Sequence, residues 1–256
     1  MQKPLILVTN DDSYHAPGIH ALIEVMKEIG EVVVVAPEQP QSGMGHAITI
    51  KVPLHYQKVK SEEGLTVFTT NGTPVDCVKF AIHKLMDRKP DLVVSGINHG
   101  SNSSINIIYS GTMAAALEAR MGGIPSIGFS LLDYSHDANF ELAKSWIKEI
   151  SSRVLENGLP EDVALNVNFP KANGADYKGI KVAVQAKSYW KEDFDERLDP
   201  RNGKPYFWLT GSFNLLDNND KSDEYALSNY YISVVPVKFD FTAHEVLNSI
   251  SNLFKN

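Results

Sequence analysis

The sequence predicts an α/β protein, a doubly wound, mostly parallel sheet with a C-terminal antiparallel hairpin extension and a closing helix. Three observations predict it. Short apolar runs without polar alternation, Leu5-Ile6-Leu7-Val8, Val32-Val33-Val34-Val35-Ala36 and Leu92-Val93-Val94, suit strands buried on both faces. Segments of helical period separate them, as right-handed crossovers between parallel strands require. From about Gly179 onward that rhythm stops, and alternating segments without intervening helices follow.

In chain order, the first strand runs into Asn10-Asp11-Asp12-Ser13, two adjacent carboxylates inside a polar turn. Gly18 to Ile29 carries Ile19, Leu22, Ile23 and Met26 at helical spacing, and Gly30 stands where a helix C′ residue is expected. Glu31 to Ala36 is the second buried strand. It opens into the loop Pro37 to His46, whose Gly, Ser and Pro content forbids regular structure and lets backbone approach a ligand. Strand-like segments follow at Ile48 to Tyr56 and Leu65 to Thr70. Asn71-Gly72-Thr73-Pro74 then starts a helix, Val75 to Leu85, with Thr73 as N-cap and Pro74 at the first helical position. Asp91 to Gly96 is the third buried strand, and a long polar loop, Ile97 to Ser110, lies behind it. Gly111 to Ala119 reads as an Ala-rich helix packed on the sheet, Ile124 to Leu131 as a strand, Asn139 to Leu155 as an amphipathic helix and Ala164 to Pro170 as a further strand.

In the extension, Ile180 to Ala186, Tyr206 to Thr210 and Tyr230 to Val237 alternate like antiparallel strands, and a helix closes the chain from about Thr242. Strands without helices between them are expected to leave the parallel sheet and project, with a neighbouring subunit covering their Tyr, Trp and Phe side chains. The expected organisation is one domain over residues 1–256, with a core of about 1–178 and an oligomerisation extension of about 179–256.

Composition narrows the partners. With 256 residues, a net charge of −7 and no basic run, a nucleic acid polymer is not an expected partner, whereas small phosphorylated molecules remain compatible. The single cysteine, Cys77, sits in an apolar helical pattern, so neither a disulfide framework nor a cysteine zinc site is available. No charged-then-apolar leader and no run of about 18 apolar residues occurs, which points to a soluble cytoplasmic protein without a membrane partner.

The chemistry concentrates at strand ends. Asn10-Asp11-Asp12, Gln41-Ser42-Gly43 and Gly96-Ile97-Asn98-His99-Gly100 each follow a buried parallel strand, and such ends share one edge of the sheet. Two neighbouring carboxylates repel, and a hard cation with oxygen ligands relieves that repulsion. Asp11, Asp12, the Ser42 hydroxyl and the Asn98 carbonyl make an oxygen set suited to one Mg²⁺ or Mn²⁺ per subunit. Two helix starts on the same edge, Gly72-Thr73 and Ser110-Gly111-Thr112, offer N–H groups to an anion, and cation plus helix N-termini is an arrangement for phosphoryl transfer. Each piece alone also reads as local structure: Asp11 or Asp12 as a helix cap, Ser42 as a turn residue, Asn98, Ser110 and Thr112 as caps. His15, His46 and His99 lie in the same loops, without ligand spacing, and suit contacts around the site.

Several motifs together resemble the SurE (survival protein E) family of 5′/3′-nucleotidases. They are Asn-Asp-Asp-x-x-x-Ala-Pro-Gly-Ile at Asn10 to Ile19, Ala-Pro-x-x-x-x-Ser-Gly at Ala36 to Gly43, Gly-Thr-Pro-x-Asp-Cys-Val at Gly72 to Val78, Ser-Gly-Ile-Asn-His-Gly at Ser95 to Gly100, Tyr-Ser-Gly-Thr at Tyr109 to Thr112, and Leu-Asn-Val-Asn at Leu165 to Asn168. The resemblance spans nearly the whole chain. It implies a Rossmann-like core, a swapped C-terminal segment in a homodimer or homotetramer, and a metal-dependent phosphatase acting on nucleoside monophosphates and, in some members, short polyphosphate. It places the metal ligands on Asp11, Asp12, Ser42 and Asn98; Asp11 and Asp12 are the expected catalytic carboxylates, and Asn10, Ser42, Gly43, Thr73, Asn98, Ser110, Gly111 and Thr112 are expected around the phosphate. Two departures bear on substrate choice: Glu38-Gln39-Pro40-Gln41 stands where the family commonly has arginine before Ser-Gly, and Ser101 to Asn106 stands where it commonly has an acidic pair.

Rival classes lack their signatures. No Gly-x-Gly-x-x-Gly follows the first strand, against a dinucleotide enzyme, and Gly96-Ile97-Asn98 supplies no aspartate at the third strand end, against a phosphate-receiver domain. The rival from another class is a nonenzymatic, oligomeric nucleotide-binding protein on the same fold. Finally, Asp240 and His244 are one helical turn apart, close enough for the carboxylate to orient the imidazole. On spacing alone the two are a capping pair; the resemblance, through the ending Asp-x-Thr-Ala-His, brings them near the active site after the swap, with His244 as a proton donor or water-positioning residue.

Overall fold

The computed structural model of the protein describes residues 3–135, 137–171, 174 and 176–255. Its elements are β1 (Leu5–Thr9), α1 (Pro17–Ile29), β2 (Glu31–Pro37), β3 (Tyr56–Glu62), β4 (Leu65–Thr70) and α2 (Pro74–Phe80), which a π-helical turn, Ala81–Leu85, continues. Then come β5 (Leu92–His99), a 3-10 turn (Ser104–Tyr109), α3 (Gly111–Met121), β6 (Ser126–Leu131), α4 (Glu141–Asn157) and β7 (Ala164–Phe169). The rest is β8 (Ile180–Val182), β9 (Ser188–Leu198), β10 (Pro205–Leu215), α5 (Asp223–Ser228), β11 (Ile232–Val237), a 3-10 turn (His244–Val246) and α6 (Leu247–Leu253).

The main sheet has the order β3-β4-β2-β1-β5-β6-β7-β11-β8, and β4, β2, β1, β5, β6 and β7 run parallel, as the apolar runs predict. Adjacent residues of β1 feed opposite faces. Ile6 and Val8 join Ile19, Leu22 and Met26 of α1 and Ile147 of α4, while Leu7 joins Cys77 and Val78 of α2 and Ala115 and Ala119 of α3. Cys77 is fully buried there, and burial pushes its thiol above the usual range, in keeping with a small core hydrophobe. The strand order reverses direction at β1 and β5. The loops after these two strands therefore lead to opposite faces and leave a crevice between them, the usual ligand position in such sheets.

Four sequence expectations change. Ile48 to Tyr56 is not a strand: Ile48, Ile50 and Val52 are exposed, Thr49 N–H donates to the Asp76 carboxylate at the cap of α2, and the paired edge strand is the later Tyr56–Glu62, antiparallel to β4. Its lysines and full exposure suit a blunted edge better than the apolar alternation did. Gly30 is extended rather than left-handed, and it is a glycine because a Cβ there would sit 2.3 Å from the Pro4 carbonyl oxygen.

The largest correction concerns the extension. β11 pairs antiparallel with β7, and β8 pairs parallel with β11, so two of the strands expected to project complete the main sheet. A helix that the periodicity did not reveal, α5, lies in the β8-to-β11 connection, with Ser222 Oγ accepting from Tyr225 N–H, and the connection is long enough for a parallel crossover. Among the described residues only β9 and β10 leave the sheet, as an antiparallel hairpin registered from Ser188↔Leu215 to Leu198↔Pro205. β9 was not apparent in the sequence because its charged residues are exposed on both sides. Residues beyond Lys238 touch little of their own chain, and Phe241 and Phe254 are 89% and 80% exposed. Among the described residues no helix is long and apolar enough to cross a membrane.

Candidate active site

The crevice at the β1/β5 reversal holds the acidic pair. Asp11 is 3% exposed and Asp12 is partly exposed beside it. Gln41 N–H donates to the Asp11 carbonyl at 2.7 Å, which brings the loop after β2 against the loop after β1. His99 N–H, at the end of β5, donates to Asp12 Oδ2 at 3.0 Å. Hydrogen bonds from backbone N–H groups to Asp11 and Asp12 thus gather the three loops.

Close backbone contact makes two glycines obligatory. A Cβ on Gly18 at the start of α1 would lie 2.0 Å from the Ile97 carbonyl oxygen, and one on Gly111 would lie 2.8 Å from Asp11 Cβ. The first turn of α3 therefore sits directly on Asp11. Ser110 caps that helix by accepting from Met113 N–H at 3.0 Å, and the Thr112 hydroxyl donates to Asp11 Oδ1. Burial is the main cause that raises the Asp11 carboxyl to about 6, the neighbouring Asp12 charge adds to it, and the Thr112 hydrogen bond opposes it. Asp12 is raised by burial as well, against the His99 hydrogen bond.

Asp11, Ser42, Gly43, Asn98 and Ser110 line one cavity of about 280 Å³ together with Tyr109, Tyr134 and Trp190. Asn98 Nδ2 donates to the Gly100 carbonyl at 2.8 Å, so its Oδ1 is the acceptor left to the cavity. Asn10 is fully buried; its Nδ2 donates to the Ser13 carbonyl, and its Oδ1 has no hydrogen-bond partner among the described residues. Among those residues no three His, Cys, Asp or Glu side chains gather as a metal-binding group. Two carboxylates, a hydroxyl and an amide oxygen instead fit a hard cation that keeps several waters, and such a cation would relieve the repulsion between buried Asp11 and partly exposed Asp12.

Not every expected residue joins. Thr73 makes a full capping box with Asp76, and its hydroxyl donates to the Ala47 carbonyl at 2.8 Å, so this helix start is satisfied internally and its side chain does not line the cavity. Thr112 is fully buried and serves Asp11 rather than the cavity surface. Asp240 lines a second cavity of about 540 Å³ that shares Ser110 with the first and also contains His46 and Phe241. His244 Nε2 pairs with Asp240 Oδ2 at 2.6 Å, yet His244 is exposed and lines neither cavity in its own chain. His46 pairs with Glu118 at 3.0 Å, His99 lines the first cavity, and His15 packs on Tyr14 outside it.

The loop behind Asn98 is held by residues that sequence reasoning did not assign. Asn102 N–H donates to Asn168 Oδ1, Asn102 Nδ2 donates to Ser130 Oγ, Asn166 Nδ2 donates to the Asn102 carbonyl, and Asn168 Nδ2 donates to Asn166 Oδ1, all at 2.8–2.9 Å and all buried. From the other side, Asp223 accepts from Ser104 and Ala186 N–H, and Glu224 accepts from the Ser103 hydroxyl. Carboxylates from α5 thus meet the serine-rich loop. The available signal was the pair Asn166 and Asn168, two polar residues on one face of an otherwise apolar strand.

Comparison with known proteins gives a consistent picture. A family model described as Survival protein SurE matches residues 6–192. The chain is 59% identical over 253 residues to a 5′-nucleotidase SurE of Flavobacterium psychrophilum, covering 98% of each chain. It is 48% identical over 253 residues to a 5′-nucleotidase SurE of Bacteroides thetaiotaomicron, covering 98% of this chain and 96% of the relative. The crystal structure of the SurE protein from Aquifex aeolicus superposes with a TM-score of 0.84 at 41% identity, covering 98% of this chain and 100% of that one.

Proposed function

This chain belongs to the SurE family, and on that footing we propose that it is a divalent-metal-dependent nucleotidase that hydrolyses nucleoside 5′-monophosphates to nucleoside and inorganic phosphate. The single observation that carries the reading is the Asp11–Asp12 pair at the strand-order reversal, with Asp11 buried directly under the N-terminus of α3 and Asp12 partly exposed beside it. A bound Mg²⁺ or Mn²⁺ would be held by Asp11, Asp12, Ser42 Oγ and Asn98 Oδ1 and would polarise a phosphoryl oxygen as a Lewis acid. Around it, the Gly111 N–H and the Ser110 hydroxyl bind phosphate oxygens at the positive end of α3, while Thr112 holds Asp11. Gly43, left-handed at φ +76°, lets the Ser42 loop present backbone on the opposite side. Asn10 keeps Asp11 in place from below through its bond to Ser13.

The proposal has finer parts, which the family resemblance and the exposed end of the chain support. The largely exposed segment after Lys238 is exchanged with a second copy in a homodimer or homotetramer, which brings His244, oriented by Asp240, to the leaving-group oxygen of the neighbouring site as proton donor. The chain then acts as one domain whose last strands complete the sheet and whose hairpin and closing helix serve assembly. 3′-Monophosphates and short polyphosphates are further substrates, nucleic acid polymers are not, and the enzyme is cytoplasmic.

Phosphate release from adenosine 5′-monophosphate, with Mg²⁺, with Mn²⁺ and with EDTA, tests the proposal. Metal-dependent release that Asp12→Asn abolishes, with an unchanged circular dichroism spectrum, is the expected result. Full turnover of Asp12→Asn at saturating metal would remove the acidic pair from the mechanism, and no release under any metal would leave the nonenzymatic nucleotide-binding reading.

A further inference from the structure

The cavity of about 280 Å³ over Asp11 does not end blindly. Gly43, Tyr109 and Trp190 line it and also line an adjoining, mostly apolar cavity of about 440 Å³ whose remaining wall includes Leu209, Thr210 and Gly211. Tyr109 comes from the turn before α3, and Trp190 comes from the base of the β9–β10 hairpin. We propose that this adjoining cavity is the nucleoside subsite, with Trp190 as the stacking surface for the base and Tyr109 as a second aromatic face of the lining. The proposal rests on the nucleotidase reading above and adds to it where the non-phosphate half of the substrate binds.

The indole is held in place before any ligand arrives. Trp190 Nε1–H donates to Asn106 Oδ1 at 2.8 Å, and Phe213 packs edge-to-face against it with ring centroids 5.8 Å apart. The hydrogen-bonding edge is therefore consumed by the protein, and what remains for a ligand is ring surface, 40% exposed in Trp190 and 48% exposed in Tyr109. Gly211 lets the two strands of the hairpin close behind it, since a Cβ there would lie 2.6 Å from the Lys191 carbonyl oxygen. Recognition by ring faces reads aromatic area and not a hydrogen-bonding pattern, because every base has a π-face. This subsite accepts all bases and favours purines, whose larger rings overlap more of the indole.

The test compares adenosine 5′-monophosphate with ribose 5-phosphate, the same ester without a base, on the full-length protein with Mg²⁺. In the wild type the base should lower KM. In Trp190→Ala the ratio of KM for the nucleotide to KM for ribose 5-phosphate should rise about 5- to 100-fold, the worth of one base–aromatic stack. Trp190→Phe should recover most of it. An equal effect on both esters, or none on the nucleotide, overturns the proposal. If Trp190→Ala disturbs the hairpin by circular dichroism, Tyr109→Ala, outside the hairpin, carries the same comparison. A wild-type protein that hydrolyses neither ester refutes the nucleotidase reading and leaves the subsite to calorimetric titration with adenosine. Weaker adenosine binding by Trp190→Ala or Tyr109→Ala than by wild type then supports the subsite, and equal binding by both overturns it.

Discussion

Replacing Asp11 by asparagine should make the metal-free protein more stable, and the size of the gain follows from the site. The carboxyl is raised from 3.8 to about 6, chiefly by burial and next by the charge of Asp12. A group that holds its proton more tightly when folded adds stability that is fully present below its unfolded value near 3.8 and is lost as pH rises through about 6. Above that window the folded apoprotein carries a penalty of roughly 3 kcal/mol, at about 1.4 kcal/mol for each tenfold change in proton affinity. Solvent does not screen it, because Asp11 is 3% exposed. Asparagine keeps the bulk and the oxygen that accepts from Thr112 while removing the charge. Thermal unfolding in EDTA near pH 7.5 should therefore show Asp11→Asn melting about 6–10 °C above wild type. Near pH 4.5 the gap should shrink to a few degrees at most, since wild-type Asp11 is then mostly protonated. Millimolar Mg²⁺ should raise the melting temperature of the wild type and not of the variant. A variant that melts at or below wild type at both pH values would refute the argument that buried charge repulsion shapes this site.

Three further outcomes are expected. Thr73→Ala should cost about 1 kcal/mol in urea unfolding through loss of the capping box on α2, with phosphate release unaffected, because Thr73 is kept out of the cavity. Asn168→Leu should cost about 1–3 kcal/mol by leaving buried Asn102 and Asn166 groups unpaired, and should lower kcat by loosening the loop behind Asn98; unchanged kcat together with an unchanged melting temperature would count against this. Truncation after Val237 should reduce the particle mass in light scattering to that of one chain while far-UV circular dichroism keeps the sheet signal, since the removed residues are exposed in the single chain.

What was readable in the sequence was whatever a local pattern decides. β1, β2 and β5 announce themselves because they are buried on both faces, and the cap at Thr73-Pro74 is visible because its chemistry lies within four residues. Asp11, Ser42 and Asn98 could be brought together on paper because parallel strands put their ends on one edge. β9 and the helix α5 could not be read, because an exposed, charged strand has no hydrophobic period and a six-residue helix has too few turns to show one. The placement of β8 and β11 followed from that miss: without α5 in view, no crossover was available to return the chain to the sheet. Trp190 and Tyr109 are beyond local reasoning altogether, since 81 residues of chain separate two side chains that share one wall.

The hairpin has one more consequence. Among the described residues β9 and β10 pair as strands only with each other, and the ribbon's hydrogen bonds to the rest of the chain are those of Trp190 to Asn106 and of the Ser188 hydroxyl to Ser104 and Ile105. A lone two-stranded ribbon is marginal in water, so this segment opens at a small fraction of the free energy needed to unfold the molecule. Its amide hydrogens, from Asp193 outward to the turn at Gly203, should exchange with deuterium within seconds in the free chain, while those of β1 and β5 wait for global unfolding. Exchange at the ribbon therefore serves as a gauge of how much time the chain spends bound to its neighbours, read without any change in the core.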